Sequence, residues 1–277
     1  MPELPEVETV RRGIEGTLLG RRVVAVSVTG RRSVRRQSAP EFCASLEGRV
    51  LVGARRRGKY LLVDLDDAAV LVVHLRMSGQ LLHARPESPT VAHTHVVLAL
   101  DDGSEVRFSD PRTFGELFVA RELDGRDAPL ALASIGRDPL VDGVDEAELR
   151  HRLAHRRVAL KAFLLDQREL AGIGNIYADE ICFVARLSPL RRSDTLTRLA
   201  VHRLVAAIDE VLTEAVTLGG STLRDARYRD LFGGTGTFQI RHAVYDRLDE
   251  PCLRCSGTIR RVRVAGRSSY SCPRCQR

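Results

Sequence analysis

Tryptophan is absent from the 277 residues, methionine occurs twice, and aromatic side chains make up only 5%. That scarcity argues against sequence-tolerant stacking along a single strand, which needs several aromatic platforms. Long apolar runs are missing too. The longest, Ala68 to Val73 and Val96 to Leu100, are far too short to span a bilayer. Residues 1–20 carry charges throughout and hold neither an apolar core nor a cleavage site, so the start does not read as a secretion signal. The expectation is a cytosolic protein with no membrane partner.

Acidic charge is in deficit. Forty-three Lys and Arg stand against 36 Asp and Glu, giving +7 and a pI near 9.4. The excess is clustered in RRSVRR (31–36), RRRGK (55–59), RHRLAHRR (150–157) and RRVRVAGR (260–267). One such run would read as a solvated face. Four runs spread over the chain favour a polyanion, because neutralised phosphates release their condensed counterions.

Hydrophobic residues at 44% and charged ones at 29% are ordinary globular values, and the length suits two modest domains. After Pro5, apolar residues at Val7, Val10, Ile14 and Leu18 predict a helix that Gly20 ends. From Arg21 to about Ala120 the grammar is β. VVAVSV, VLVGA, YLLVDL, AVLVVHL, HVVLAL and ELFVA are short runs divided by turns, among them the hairpin signal LDDGSEV. A β-sandwich follows from that pattern. Residues 144–167 predict helix, with Asp145 and Glu148 spaced as a capping box. After a break at AGIGNIYADE comes a helix to about Leu187. A long helix follows over 194–218, with Leu196, Leu199, Leu204, Ile208 and Val211 on one side and Gly219 and Gly220 at its end. Residues 221–242 read as a mobile Gly-rich loop. The expected class is α+β, divided as 1–135, a linker at 136–142, a helical DNA-docking module at 143–242 and a terminal unit at 243–277.

Cys252, Cys255, Cys272 and Cys275 form CLRC and CPRC pairs. The spacing fits one tetrahedral zinc, and so short a terminal segment needs a metal in place of a core. Disulfides or a redox pair are the alternatives. Cys43 and Cys182 stand alone and read as packing residues. Between the pairs, RRVRVAGRSSYS predicts a hairpin turning at Ala265–Gly266 and presenting Arg267 near its tip, where a guanidinium can grip phosphate or simply face water.

The start, MPELPEVETVRRG, places Pro2 behind Met1. Removal of Met1 would expose a secondary amine. An α-amino group titrates at about 8, well below lysine, so a useful fraction is neutral and nucleophilic. Such an amine can attack C1′ of a sugar and form an iminium, with Glu3 beside it for proton transfer. A helix N-terminus near Pro5 adds positive potential that disfavours the protonated amine. An exposed prolyl terminus is also an ordinary feature.

MPELPEVETVRRG, RRGKYLL, HLRMSG, SDPRTFG, GIGNIYADE and CLRC…SSYSCPRCQ, in that order, resemble the bacterial formamidopyrimidine-DNA glycosylases. The resemblance runs through essentially the whole chain. It implies an N-terminal β-sandwich with flanking helices, a helix–two-turn–helix module and a four-cysteine zinc finger, with damaged double-stranded DNA in the cleft between. It implies Pro2 as Schiff-base nucleophile, Glu3 as proton donor and Lys59 in proton transfer during β-elimination. Arg267 is implied in δ-elimination and phosphate binding, and Glu6 in support of the site. Asn175 corresponds to a phosphate-holding residue, and Met77, Arg112 and Phe114 to residues that fill the gap left by the extruded nucleotide. His93 and Arg157 correspond to further DNA contacts. Read without the family, Met77 and Phe114 would be core, Lys59 a surface strand lysine, His93 a loop histidine and Arg157 a helix-surface arginine. Arg76 stands where many relatives carry Gly, Thr113 where several carry Arg, and Asp246 where Gly is common. The implied enzyme is a monomeric, cytoplasmic, nucleoid-associated bacterial repair enzyme for oxidised purines, with one structural zinc and no nucleotide cofactor. An endonuclease VIII type acting on oxidised pyrimidines is the near alternative, against which Leu4 speaks. A silent DNA-binding paralogue would have lost Pro2, Glu3 or Lys59, and none is lost.

Overall fold

The computed structural model describes residues 1–30, 32–124, 128–223 and 227–277. Arg31 of the first basic run and residues 224–226 of the 221–242 loop lie outside the described residues. The chain divides into two compact units, one of residues 1–134 with 218–237, the other of 135–217 with 238–277. No helix among the described residues is long and apolar enough to cross a membrane.

The first unit opens with α1 (Leu4–Thr17), β1 (Val23–Val28) and α2 (Ala39–Leu46). Then come β2 (Leu51–Arg57), β3 (Tyr60–Leu65), β4 (Val70–His74), β5 (Gln80–Ala84), β6 (Thr94–Leu100), β7 (Glu105–Ser109) and β8 (Glu116–Ala120). The strands form two antiparallel four-stranded sheets, ordered β1-β6-β7-β5 and β2-β3-β4-β8. Both sheets send alternate residues into one core. Leu61, Val63, Leu71, Val73 and Leu117 come from one sheet, and Leu81, Val96, Leu98, Val106 and Phe108 from the other. Val7, Val10, Ile14 and Leu18 of α1 join them at helical spacing, so the sandwich is closed by the helix that carries the N-terminus. Tyr228 and Leu231 belong to the same core.

All six sequence-predicted strand runs are strands. β5 is additional, while β7 is the second arm of the hairpin that LDDGSEV signals, and Arg107 within it is buried. That guanidinium donates to the carbonyl oxygens of Arg85, Pro86, Ser88 and Pro89 and pairs with Glu105 at 2.7 Å. α2 is likewise an addition. Its signal is a capping box, in which Ser38 Oγ accepts from Glu41 N–H and Glu41 Oε2 accepts from Ser38 N–H at 2.7 Å.

The second unit holds α3 (Glu146–Ala154), α4 (Leu160–Leu165), α5 (Asn175–Val184), α6 (Arg198–Thr217) and a hairpin of β9 (Arg260–Val264) and β10 (Arg267–Ser271). The helix predicted over 144–167 is two helices, because Ala159 is extended and bridges to Arg192. Asp145 caps α3 by accepting from Glu148 N–H at 2.7 Å. The Glu148 carboxylate turns instead to Arg137 and Arg152, so the capping box is half formed. The long helix starts at Arg198, leaving Leu196 before it and Leu199 67% exposed. Ala200, Val201, Leu204, Ala207, Ile208 and Val211 supply the buried face.

The terminal segment shares its core with α5, since Phe183 packs with Val244, Cys252, Ile259, Tyr270 and Cys272. Polar contacts reinforce the seam. Glu180 accepts from the N–H groups of Ala243, Val244 and Tyr245 at 2.8 to 3.0 Å. Gln276 takes Cys272 N–H and donates to the Leu187 carbonyl.

Candidate functional site

Pro2 is buried immediately ahead of α1, and Glu3 is the extended N-cap of that helix. Pro5 occupies the first turn, where a missing N–H costs no helical bond. The Glu6 carboxylate is fully engaged, with Oε2 accepting from Glu3 N–H at 2.7 Å and Oε1 from Ser221 N–H at 2.6 Å. Gly220 is required beside it. Its φ is +77°, and a Cβ there would stand 2.6 Å from Glu6 Oε1. Tyr228 donates its hydroxyl to the Glu6 carbonyl oxygen, and burial together with the Glu6 charge pushes the phenol above its ordinary range, so it stays protonated. The segment 218–237 is thus fastened to the start of the chain.

Lys59 is not a surface strand lysine. It sits in the two-residue turn between β2 and β3, beside Gly58 at φ +59°, and is 7% exposed. The basic run around it is buried as well. Arg56 pairs with Glu8 of α1 at 3.1 Å and donates to the Gly58 carbonyl at 3.1 Å, which ties the first helix to the lysine turn. Burial alone would raise the Glu8 carboxyl, but Arg11, Arg56 and Arg12 outweigh it and hold the group below its usual value. His74 lies opposite Tyr60 in the sheet, with ring centroids 4.4 Å apart. Burial, then the charges of Arg76 and Lys59, lower its imidazole to about 3. Geometry agrees, because His74 Nδ1 accepts from Arg76 N–H at 2.9 Å and must be unprotonated.

Met77 and Phe114 are not core. They are 39% and 50% exposed, on two loops of the same sandwich. Arg112 stacks over the Phe114 ring at 4.7 Å. His93 is exposed at φ +63°, and its carbonyl accepts from Asp110 N–H. Asp110, fully buried, is the residue these loops share. Sequence reasoning passed over it, although it stands inside SDPRTFG.

In the second unit, Asn175 is the first residue of α5. Its Oδ1 is buried and meets no hydrogen-bond partner among the described residues. Such an amide is a natural partner for a group outside the chain. Arg157 is in the break between α3 and α4 rather than on a helix, 85% exposed at its side chain and 3.7 Å from Asp194. Arg267 is the first residue after the Ala265–Gly266 turn and is exposed. Both turn residues have positive φ, 48° and 77°, as a two-residue hairpin of this hand requires. Lys161 and Asp179, both wholly buried, pair at 2.9 Å behind that strand. Lys161 Nζ donates to the Ser268 carbonyl, and Asp179 accepts from Ser269 Oγ and Tyr270 N–H. One helix therefore carries Asn175 at its start and fixes the strand of Arg267 from its middle. Neither Lys161 nor Asp179 stands out in sequence.

The four paired cysteines converge, with all Sγ atoms within 4.8 Å of one another. Cys252 to Cys275 is 3.8 Å and Cys255 to Cys272 is 3.5 Å. Sulfurs about 2.3 Å from one zinc stand about 3.8 Å apart at the corners of a tetrahedron, so the set fits that ion. The Gly257 N–H and neighbouring thiols bring Cys255 down to about 7, whereas burial and the crowd of thiols push Cys275 up to about 12. Four thiolates this close need a cation to ionise together. No other such His, Cys or acidic group occurs among the described residues, and Cys182 is buried as a packing residue.

Three family models cover the chain in order. They are the formamidopyrimidine-DNA glycosylase N-terminal domain over residues 1–117, the H2TH domain of the same enzymes over 135–227, and the zinc finger found in FPG and IleRS over 249–277. The chain belongs to the formamidopyrimidine-DNA glycosylase family. The formamidopyrimidine-DNA glycosylase of Nocardia farcinica is 46% identical over 289 residues, covering 100% of this chain and 98% of that one. The crystal structure of MutM (Fpg) from Thermus thermophilus matches with a TM-score of 0.88 at 42% identity, over 99% of this chain and 98% of that chain. MutM in complex with DNA containing carbocyclic 8-oxo-G matches with a TM-score of 0.89 at 34% identity over the whole of both chains. The four cysteines are thus the ligands of one structural zinc in a glycosylase zinc finger. Arg76, Thr113 and Asp246 all adopt positive φ, 52°, 54° and 59°, a region where glycine is at ease and other residues are strained.

Proposed function

We propose that this family member excises oxidised purines, 8-oxoguanine and formamidopyrimidines, from duplex DNA and then cleaves the abasic strand as a monomer without a nucleotide cofactor. The observation that carries the reading is the N-terminus. Pro2 and Glu3 lie buried at the head of α1, and Glu6 fastens that head to Ser221. With Met1 removed, the Pro2 nitrogen attacks C1′ while the bond to the damaged base breaks, and Glu3 delivers the proton that ring opening or base departure needs. The resulting iminium makes the C2′ hydrogens acidic. Lys59 moves that proton as the 3′-phosphate leaves, and Arg267 holds phosphate for the second elimination. Asn175, at the positive end of α5, donates from its side-chain N–H₂ to phosphate near the lesion, with Arg157 and His93 as further contacts. Met77, Arg112 and Phe114 enter the stack in place of the extruded nucleotide. The solved neighbour bound to 8-oxo-G DNA supports the purine choice. By this reading 1–135 is the catalytic domain, 143–242 the DNA-docking module and 243–277 the finger.

The test uses protein whose mass shows Met1 is gone. It is incubated with duplexes carrying 8-oxoguanine, an oxidised pyrimidine or an abasic site, and borohydride is added. A covalent adduct mapped to Pro2, with the highest yield on 8-oxoguanine among the two damaged bases, is expected. An adduct on another residue, or none on any duplex, defeats the mechanism, and a pyrimidine preference moves the chain to the endonuclease VIII type.

A further inference from the structure

Asp110 joins three separate loop segments. Its Oδ1 accepts from the Ser78 hydroxyl and from Arg112 N–H at 3.1 Å. Its Oδ2 accepts from Phe114 N–H at 2.8 Å and Gly115 N–H at 2.7 Å. Its own N–H donates to the His93 carbonyl at 3.0 Å, and its carbonyl oxygen lies 2.9 Å from His95 Nε2 and accepts from Thr113 N–H at 3.2 Å. The group is entirely buried and every one of its polar atoms is used. Gly115 completes the arrangement, since a Cβ there would stand 2.5 Å from the Phe108 ring and 3.1 Å from Asp110 Oδ2. Four of the residues assigned to DNA contact are the direct partners or chain neighbours of this one carboxylate's residue. They are Met77 beside Ser78, His93, Arg112 and Phe114.

We propose that Asp110 is a positioning residue for base extrusion, holding the Met77 loop and the Arg112–Phe114 loop as a single preformed wedge. The proposal rests on the wedge role given above to Met77, Arg112 and Phe114. A wedge whose loop backbones are ordered before it meets DNA loses less loop freedom on entry, so more of its contact energy is left to offset unstacking. A single carboxylate suits this because its two oxygens accept from donors on both loops. Asparagine has one acceptor and would turn an N–H₂ toward at least one of the same donors.

The experiment compares Asp110→Asn, Ser78→Ala and Phe114→Ala with the parent enzyme in single-turnover reactions. One substrate holds 8-oxoguanine paired with cytosine, the other a preformed abasic site that needs no base extruded. Asp110→Asn is expected to slow base release about tenfold or more while the borohydride adduct at the abasic site stays within about twofold. Ser78→Ala, which removes one bond of four and keeps the fold if Asp110→Asn does not, shows the same split at smaller size. Equal losses on both substrates, or no loss on either, overturn the positioning role. If Phe114→Ala is impaired on the lesion but Asp110→Asn and Ser78→Ala are not, the wedge stands and this proposal alone falls. If Phe114→Ala excises normally, the wedge reading itself fails.

Discussion

Glu6 and Ser221 stand 215 positions apart in sequence and meet in a hydrogen bond of 2.6 Å. The other oxygen of the same carboxylate holds the N–H of Glu3. A segment from the far part of the chain therefore helps set the backbone next to Pro2, and no local property of PELPEVE announces it.

Replacing Glu6 by Gln leaves an acceptor for only one of the two N–H groups and aims an amide hydrogen at the other. An unsatisfied buried donor costs about 1–3 kcal/mol. Glu6→Gln should lower the melting temperature and the yield of borohydride adduct together. Gly220→Ala should do the same through the clash its Cβ makes with Glu6 Oε1. Normal melting and normal adduct in both variants would show that the bridge carries no weight.

Cys272→Ser removes one of the four thiolates around the zinc. The short segment's apolar cluster is Ala243, Val244, Cys252, Ile259, Tyr270 and Cys272 against Phe183 of α5, and two of these are the zinc ligands themselves, so the finger has little core to fall back on without the metal. Zinc content measured by a chromogenic chelator should fall, and affinity for abasic-site duplex should fall with it. A variant that binds the duplex normally after losing its metal would contradict the role given to the finger.

Much of the fold was legible because the core follows simple periods. The α1 residues Val7, Val10, Ile14 and Leu18 and the six strand runs all pack where alternation and helical spacing put them. What stayed hidden was polar and buried. Lys59 reads as exposed because a lysine in RRRGK ordinarily is. Asp110, Lys161 and Asp179 look like solvated charges until their partners, as far as 107 positions away, are in place. Leu199 failed in the other direction, as an apolar residue left in water at the start of a helix whose buried stripe begins one position later. Motif resemblance supplied the expected chemistry of the site, whereas the buried groups that position its loops and strands show only in the fold.

His74 gives the protein an acid-side weakness whose sign is fixed. The group titrates at 6.5 when unperturbed and at about 3 in the fold. Between those values the unfolded chain takes up a proton that the folded chain refuses. Stability from this residue is complete above about 6.5 and is lost as pH falls toward 3, with a slope approaching about 1.4 kcal/mol per pH unit. Urea unfolding at pH 7 and pH 5 should show a smaller loss in His74→Asn, whose side-chain oxygen can still accept from Arg76 N–H. Identical losses in both proteins would mean the imidazole titrates normally.

Asp246 is exposed and sits at φ +59°. A left-handed conformation costs an L-residue about 1–2 kcal/mol, less for Asp, while glycine adds about 0.5–1 kcal/mol of chain entropy to the unfolded state. The two nearly cancel, so Asp246→Gly should change stability by no more than about 1 kcal/mol. Asp246→Val, branched at Cβ, should lose more than about 1 kcal/mol. Chemical denaturation of the pair decides, and a harmless valine would remove the strain argument here and weaken it at Arg76.

Lys161 and Asp179 pair at 2.9 Å with no exposure on either side chain. Removing one partner leaves a buried charge uncompensated, so Lys161→Met and Asp179→Leu should each cost about 3–5 kcal/mol. The double variant should cost clearly less than their sum, because no charge is stranded. It should not be free, since Ser269 Oγ, Tyr270 N–H and the Ser268 carbonyl all lose a partner. Those three groups lie on the strand that begins at Arg267, so the double variant that still folds and holds zinc should keep Schiff-base formation while strand cleavage stalls after the first elimination. Additive single costs would mean that the two charges act separately. A double variant completing both eliminations at the parent rate would mean that Arg267 is held by the zinc-stapled hairpin alone.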